Sequence, residues 1–259
     1  MNARELGGYI CQDGRKIKHG VLLRGGGLKG ATDFDIYRLE NEFHITKVFD
    51  FRTQMETVYL PDRAVPGADS VWLPAIDPET EKLGESTLPH DAYRDLQGFL
   101  IRNASNPKFQ EVARNFYPEM IFNEYTQLQY AAFLQMLVKD ETRSVYWHCS
   151  QGKDRTGLAA AFLLIALGAD RQTVIEDYDI SQEYYRSDVE EVFKKMDALG
   201  ATADEKAVAL TFIGANTEFF SIALNMIDKE FGSLQNYVRD ALCLSEEDRK
   251  ILCDKYLEV

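Results

Sequence analysis

Short runs of β-branched and aromatic residues alternate along the chain with longer stretches in which apolar residues recur at helical spacing. The short runs predict β-strands at residues 21–24, 45–51, 70–73 and 144–148. The longer stretches predict helices at residues 32–43, 122–138, 156–167 and over most of 171–257. Strands separated by helices favour an α/β fold, in which a central, mainly parallel sheet of about four or five strands is flanked by helices.

Residues 83–120 fit this alternation least well, because the stretch is polar and contains Pro89 and Pro107. It is interpreted either as ordinary surface helices or as a helical lid or insertion. No internal repeat, low-complexity tract or linker rich in Pro, Gly and Ser interrupts the chain. We therefore expect a single domain over residues 1–259.

The predicted helix at residues 156–167 is apolar on all sides and stops at Gly168, which indicates a buried helix with a glycine terminator. The longest unbroken apolar run, residues 158–167, is too short to cross a bilayer. The first residues lack the apolar core of a secretory signal. We expect no transmembrane segment and a cytoplasmic location, with unconventional secretion left open.

Composition and charge exclude several classes of function. The chain has 29 Lys and Arg against 42 Asp and Glu, a net charge of −13, and such a field repels nucleic acid and anionic membranes. Any recognition of phosphate must therefore be local. The four cysteines and four histidines are scattered without a C-x-x-C pair or zinc spacing, so we expect neither a disulfide framework nor a metal site.

The segment around Cys149 carries the candidate chemistry. Cys149 directly follows a predicted strand, Arg155 stands six positions later, and the buried helix begins after it. A short loop that enters a helix points backbone N–H groups inward, and the helix N-terminus adds positive charge, so together they form an anion nest. Gly152 allows the backbone to curl, and the planar fork of Arg155 matches two oxygens of a phosphate. The same field stabilises a thiolate, which makes Cys149 a candidate nucleophile for phosphoryl transfer.

A second pair of residues shows that the spacing alone is weak evidence. Cys243 and Arg249 stand at the same spacing, but three acids and no glycine lie between them, and no predicted strand precedes them. We expect this second pair to mark an exposed helix start. For Cys149 the alternative is a buried structural cysteine.

Residues 148–157, with the sequence HCSQGKDRTG, resemble the phosphate-binding loop of the cysteine-dependent protein tyrosine phosphatase superfamily. The GKDRTG portion resembles a bacterial branch that acts on phosphotyrosine and also on phosphoinositides. Further segments resemble other motifs of that branch: residues 4–9, 23–26, 50–56 (its D-L-R-T-x-x-E element, with Phe51 in place of Leu) and 231–259. The resemblance covers most of the chain, although residues 83–117 match poorly.

The resemblance implies a tyrosine-phosphatase-like α/β fold and a phosphatase that needs no cofactor or metal. Cys149 is implied to attack the phosphorus and form a cysteinyl-phosphate, while Arg155 and the loop amides stabilise the transition state. The implied substrates are phosphotyrosine proteins, with phosphoinositides or a dual specificity as the alternative, and inorganic phosphate is the product. The residues implied to bind phosphate are Ser150, Gln151, Gly152, Lys153, Asp154, Arg155 and Thr156.

Two aspartates are candidates for the general acid that protonates the leaving oxygen. Asp154 lies inside the loop beside Arg155 and, by the resemblance, takes this role in related phosphatases. Asp77 follows the predicted strand at residues 70–73, and its order along the chain resembles the mobile acid loop of other tyrosine phosphatases. We favour Asp154 and keep Asp77 as the alternative.

Three neighbours of the nucleophile have two interpretations each. Lys153 is a second cation for a multiply charged phosphoinositide head group, or a solvated lysine. Thr156 donates a hydrogen bond to the Cys149 thiolate, or is an ordinary hydroxyl at the start of a helix. His148 orients the loop backbone, or is satisfied inside the core at a strand end, and we favour the structural role.

Two other classes of function compete with the phosphatase interpretation. Residues 25–30, GGGLKG, fit G-x-G-x-x-G after a predicted strand, with Asp50 about twenty residues further on, as in NAD(P)-dependent oxidoreductases. However, the helix is predicted to start after the last glycine, and Arg24 stands where an apolar residue is expected. Alternatively, the loop binds phosphorylated partners without turnover, a function that hydrolysis of p-nitrophenyl phosphate would distinguish.

Overall fold

The computed structural model describes residues 2–83, 95–139, 141 and 144–259. Its strands, in chain order, are β1 (Arg4–Glu5), β2 (Lys16–Ile17), β3 (Leu22–Gly26), β4 (Lys47–Asp50), β5 (Asp69–Trp72), β6 (Val145–Cys149) and β7 (Leu257–Glu258). Five of them form one sheet in the order β1-β3-β6-β4-β5, in which only β1 is antiparallel to its neighbour. The predicted mainly parallel α/β sheet is confirmed.

Helices flank this sheet. The α-helices in the described residues are α1 (Asp33–Tyr37), α2 (Gln54–Tyr59), α3 (Pro78–Leu83), α4 (Leu96–Asn103), α5 (Pro107–Phe122), α6 (Glu124–Lys139), α7 (Asp154–Leu167), α8 (Arg171–Ala198), α9 (Ala203–Ile213), α10 (Thr217–Phe231), α11 (Leu234–Asp240) and α12 (Glu246–Tyr256). A π-helical segment, Arg38–Glu42, continues α1. None of these helices alone is long and apolar enough to cross a membrane, and α9 and α10 reach the required length and composition only when counted together across an 80° bend.

The register of the sheet brings the ends of its central strands to one edge. Strand β6 is buried along its whole length between β3 and β4, as expected for a parallel strand that is covered on both faces. Gly26 at the end of β3 is the partner of Cys149, and Asp50 at the end of β4 is the partner of His148. Because the carboxyl ends of parallel strands meet at the same edge, loops from three strands converge around Cys149.

Helix α7 fills the centre of the core on one side of the sheet. Every residue from Asp154 to Leu167 is buried, as its apolar sequence predicts, and the helix ends at Gly168 with φ of 91°. This left-handed conformation is accessible to glycine at little cost. The first turn of α7 therefore presents its N–H groups from a fixed position inside the protein.

A second hydrophobic cluster lies among α4, α5, α8 and α9. The Phe109 ring stacks on Phe212 at 4.8 Å between centroids and meets Phe99 edge-on at 5.3 Å. Helix α5 belongs to both clusters, because its C-terminal half packs into the main core through Tyr117, Met120 and Ile121. Residues 83–120, which fit the predicted alternation least well, thus contain α4 and α5 from Leu96 onward, while residues 84–94 lie outside the described part.

The glycine-rich segment at residues 25–30 does not form a dinucleotide fingerprint. Gly25 and Gly26 lie inside β3, and Leu28–Gly30 form a single 3₁₀ turn. As predicted, helix α1 starts only after the last glycine, and Thr32 caps it with a capping box. The helix N-terminus that would bind a pyrophosphate is therefore absent from this motif.

Candidate active site

The loop of residues 149–155, called here the cysteine loop, leaves the end of β6 and enters the first turn of α7. Gly152 has φ of +69°, and a Cβ at this position would lie 2.2 Å from the carbonyl carbon of Gly25. Only glycine fits, because the loop curls directly over the backbone of β3. The Cys149 side chain sits at the strand end with only 3% of the residue exposed.

Surrounding donors hold the carbonyl groups of this loop. Asn2 Nδ2 and Arg24 Nη2 donate to the Gly152 carbonyl at 3.0 and 2.9 Å. The Tyr185 hydroxyl donates to the Gln151 carbonyl at 2.5 Å, and the amide of Gly27 donates to the Ser150 carbonyl at 3.2 Å. Surrounding groups therefore engage three carbonyls of the loop, which is compatible with loop amides that face an anion.

Arg155 is fixed by a buried carboxylate from α2. Its Nη1 and Nη2 donate to Oε2 and Oε1 of Glu56 at 2.5 and 2.7 Å, a bidentate geometry that defines the plane of the guanidinium. The Ser150 hydroxyl and the Thr53 amide also donate to Glu56, at 2.5 and 2.8 Å. Burial would raise the pKa of Glu56, but the Arg155 charge and these hydrogen bonds lower it to about 2.

We expect Glu56→Gln to destabilise the protein at neutral pH and to make less difference in acid. The pKa of Glu56 falls from 4.5 in the unfolded chain to about 2 in the folded state, which is worth about 3 kcal/mol of unfolding free energy. That contribution is complete above pH 4.5 and is lost as the pH falls towards 2. Urea unfolding of both proteins at pH 7 and about pH 3 should show the gap between them shrinking by more than half. An unchanged gap would mean that Glu56 is not ionised.

Two tyrosines from different helices form hydrogen bonds with the side chain of Asp154. The hydroxyls of Tyr117 and Tyr178 donate to its Oδ1 at 2.7 and 3.0 Å and lie 2.6 Å from each other. Burial, together with the Asp154 charge, raises the pKa of both tyrosines well above 10. Both hydroxyls therefore remain protonated, and they fix the carboxylate of Asp154 at the end of the cysteine loop.

The ammonium of Lys153 lies where neither interpretation of the sequence placed it. The residue is 1% exposed, so it is not a solvated lysine. Its Nζ lies 3.0 and 2.5 Å from the carbonyl oxygens of Thr211 and Gly214, and 3.1 Å from Oδ2 of Asp154. The ammonium thus points to the end of α9, a position that the local sequence does not reveal.

A buried charge cluster supports the loop from β1 and β3. Asp177 on α8 is 1% exposed and forms ion pairs with Arg24 and, at 3.0 Å, with Nε of Arg4. Burial would raise the pKa of Asp177, but these two arginines lower it. Arg4 and Arg24 lie in segments whose sequence resembles motifs of the phosphatase branch. Asp177 was not predicted, because no local sequence pattern marks it.

The remaining predicted residues occupy separate positions. Asp77 lies before α3, half-buried, and accepts hydrogen bonds from the Glu79 amide at 2.9 Å and from Asn123 Nδ2 at 3.2 Å. The Thr156 hydroxyl is fully buried and has no hydrogen-bond partner among the described residues. Cys243 is exposed just before α12, which is the helix start expected for the second cysteine–arginine pair.

His148 lies among acidic groups next to the loop. It is fully buried, and burial lowers its pKa, which agrees with the favoured structural role. Atoms of Asp50, Asp62 and His148 lie within 4.8 Å of one another, close enough for three ligands of one metal ion. Arg52 already bridges both carboxylates, so a divalent cation placed there would face its positive charge. We interpret this cluster as a structural ion-pair network.

The comparison with known proteins decides the family. A sequence model of the tyrosine phosphatase family matches residues 1–258. The chain belongs to the tyrosine phosphatase family. The resemblance noted from residues 148–157 is thereby confirmed, and the protein is a tyrosine-phosphatase-like enzyme, a hydrolase with phosphorylated substrates.

Curated relatives agree with this placement. The phosphatase is 27% identical over 241 residues to a Cupriavidus necator protein named "putative tyrosine-protein phosphatase", which covers 93% of this chain and 81% of the relative. It is also 27% identical over 264 residues to the triple specificity protein phosphatase PtpB of Mycobacterium tuberculosis, covering 93% of this chain and 94% of PtpB. A tyrosine-protein phosphatase of Nostoc commune is 26% identical over 112 residues, or 41% of this chain and 38% of the relative.

Proposed function

We propose that this phosphatase hydrolyses phosphomonoesters through a cysteinyl-phosphate at Cys149, with phosphotyrosine proteins as its main substrates. The observation that carries the proposal is the cysteine loop itself. The buried Cys149 begins this loop, Gly152 lets it curl over the backbone of β3, and Glu56 fixes the guanidinium of Arg155 at its other end. This arrangement supplies both a nucleophile and a site for the phosphate dianion.

The proposed reaction has two steps. In the first, the Cys149 thiolate attacks phosphorus, the bond to the leaving oxygen breaks, and a general acid gives that oxygen a proton. In the second, water attacks the phosphorus, the sulfur–phosphorus bond breaks, and the same carboxylate takes up the water proton. Arg155 and the loop amides stabilise the charge on the remaining phosphate oxygens in both transition states.

Phosphoinositides, or a dual specificity that includes phosphoserine and phosphothreonine, are the second candidate. The name of the PtpB relative, a triple specificity phosphatase, favours such a broader range. The test compares kcat/KM for a phosphotyrosine peptide, a phosphoserine peptide and a phosphoinositide, each in buffer containing EDTA. We expect the phosphotyrosine peptide to be preferred and EDTA to have no effect. Failure to hydrolyse even p-nitrophenyl phosphate would favour a binding module without turnover.

For the general acid we propose Asp154, with Asp77 as the alternative. Asp154 lies in the cysteine loop next to Arg155, and Tyr117 and Tyr178 hold it there. Asp77 lies in a different segment, just before α3, and its carboxylate accepts a hydrogen bond from Asn123. The proposal rests on proximity, since an acid must reach the leaving oxygen before its pKa matters.

Leaving-group dependence is expected to distinguish the two aspartates. Asp154→Asn should slow phenyl phosphate and phosphotyrosine at least tenfold more than p-nitrophenyl phosphate, because nitrophenolate leaves without a proton. Asp77→Asn is the matched variant and should slow all three substrates by the same factor. The selective pattern in Asp77→Asn, with a uniform loss in Asp154→Asn, would reverse the assignment and make Asp154 a residue that shapes the loop.

A further inference from the structure

We propose that Lys153 is a positioning residue that ties the cysteine loop to the C-terminal end of α9, with its ammonium engaged by the protein and not by the substrate. The proposal rests on the proposed hydrolytic function and concerns how the loop is held in place for it. Lys153 stands two positions before Arg155 in the chain. A contact that fixes the Lys153 side chain therefore also restricts the backbone next to Arg155, the residue proposed to bind phosphate.

The hydrogen-bonding capacity of the ammonium is filled. A lysine ammonium has three N–H donors. In the described part of the chain, three acceptors lie within reach of Lys153 Nζ: the carbonyl oxygens of Thr211 at 3.0 Å and Gly214 at 2.5 Å, and Asp154 Oδ2 at 3.1 Å. With 1% of the residue exposed, no donor remains for a substrate phosphate.

The acceptors themselves explain why a cation belongs at this place. Helix α9 ends at Ile213, and the last carbonyl groups of a helix have no partner within it. Thr211 and Gly214 flank this end, where the helix dipole adds negative charge that a cation neutralises. Lys153 thus caps α9 from another part of the chain, and Asp154 completes the neutralisation.

This contact connects the second hydrophobic cluster to the cysteine loop. Helix α9 packs in that cluster against α4 and α5 through Phe212 and Ala209. The neighbouring Asp154 is held from α5 by Tyr117 and from α8 by Tyr178. Three helices therefore fix two consecutive loop residues, and displacement of α9 would move the loop.

The test is Lys153→Met, which keeps the apolar stem and removes the donors, assayed on substrates of increasing charge. The series is p-nitrophenyl phosphate, a phosphotyrosine peptide and a phosphatidylinositol bisphosphate in mixed micelles. We expect kcat to fall at least tenfold by a factor that agrees within threefold across the series, with KM nearly unchanged. A loss that grows tenfold or more with substrate charge, carried by KM, would overturn the proposal, as would unaltered kinetics.

Two further variants separate positioning from misfolding and from failure of the proposed chemistry. Lys153→Gln retains amide donors for the carbonyls and should recover part of kcat equally for all substrates; no recovery would contradict the contact with α9. The control is Lys206→Met, which removes a lysine of α9 whose ammonium pairs with Asp197. This variant should behave as wild type. If the wild-type enzyme hydrolyses none of the substrates, the proposed function is wrong. If the wild-type enzyme is active and the loss of activity in Lys153→Met grows with substrate charge, only this inference is wrong.

Discussion

Cys149→Ser is expected to abolish turnover and to leave the binding of vanadate or phosphate largely intact. A serine hydroxyl is not ionised by the field of the loop, so it cannot replace the thiolate as a nucleophile. The anion site survives because its shape comes from backbone groups that Asn2, Arg24 and Tyr185 hold in place. We expect residual kcat below about one per cent of wild type with p-nitrophenyl phosphate.

The matched control is Cys243→Ser, which changes an exposed cysteine at the start of another helix. It should retain full activity and bind vanadate as wild type does. Isothermal titration with vanadate should give similar dissociation constants for both variants. Turnover by Cys149→Ser above about one per cent, or phosphate trapped on a different residue, would rule out covalent catalysis by Cys149.

Arg155→Lys is expected to lower kcat/KM at least about a hundredfold, or on the order of 3 kcal/mol of transition-state stabilisation. Lysine keeps the charge but lacks the planar fork. In the structure that fork spans both oxygens of Glu56, with N–O distances of 2.5 and 2.7 Å. A single ammonium cannot reproduce this geometry and also face a phosphate, and it leaves the buried Glu56 carboxylate poorly paired.

Steady-state kinetics on a phosphotyrosine peptide, with Arg186→Lys as the control, measure this loss. Arg186 forms a surface ion pair with Glu183, and exposed pairs of this kind contribute little, so that variant should match wild type. Circular dichroism should confirm that Arg155→Lys is folded. Kinetics within threefold of wild type would show that the bidentate fork is not used in catalysis.

The sequence predicted the longer elements because their patterns are local. All four predicted strands occur; β6 is buried on both faces, whereas β5 is mostly exposed and was recognised by its short apolar run ending at Pro74. Strands β1, β2 and β7 were not predicted, because two residues are too few to show an alternation. Helix α5 was obscured by two prolines, although Pro107 stands in its first turn, where proline is favoured after the cap at Asn106.

The candidate site was predicted only as far as the loop itself extends. Cys149, Gly152 and Arg155 follow one another within seven residues of sequence, and their spacing is readable. The pair Arg155 and Glu56 joins positions 99 residues apart, so the sequence does not reveal that they meet, although the resembling element at residues 50–56 contains Glu56. One usable signal existed, because T-x-x-E at Thr53 is a capping box that buries its glutamate near the end of β4. The direction of the Lys153 side chain depended on where α9 lies, which no local pattern gives.

The burial of α7 has a consequence for how the enzyme loses its native state. Asp154, Arg155 and Thr156 form the first turn of a helix in which all fourteen residues are buried. Hydrogen-bonded amide groups in the body of such a helix exchange with solvent mainly through global unfolding, whereas exposed elements open separately at lower cost. Two of the seven residues of the cysteine loop, Asp154 and Arg155, therefore lie on a helix that should open only together with the core. Fraying at the periphery should leave the enzyme active, and activity and native structure should disappear together on heating.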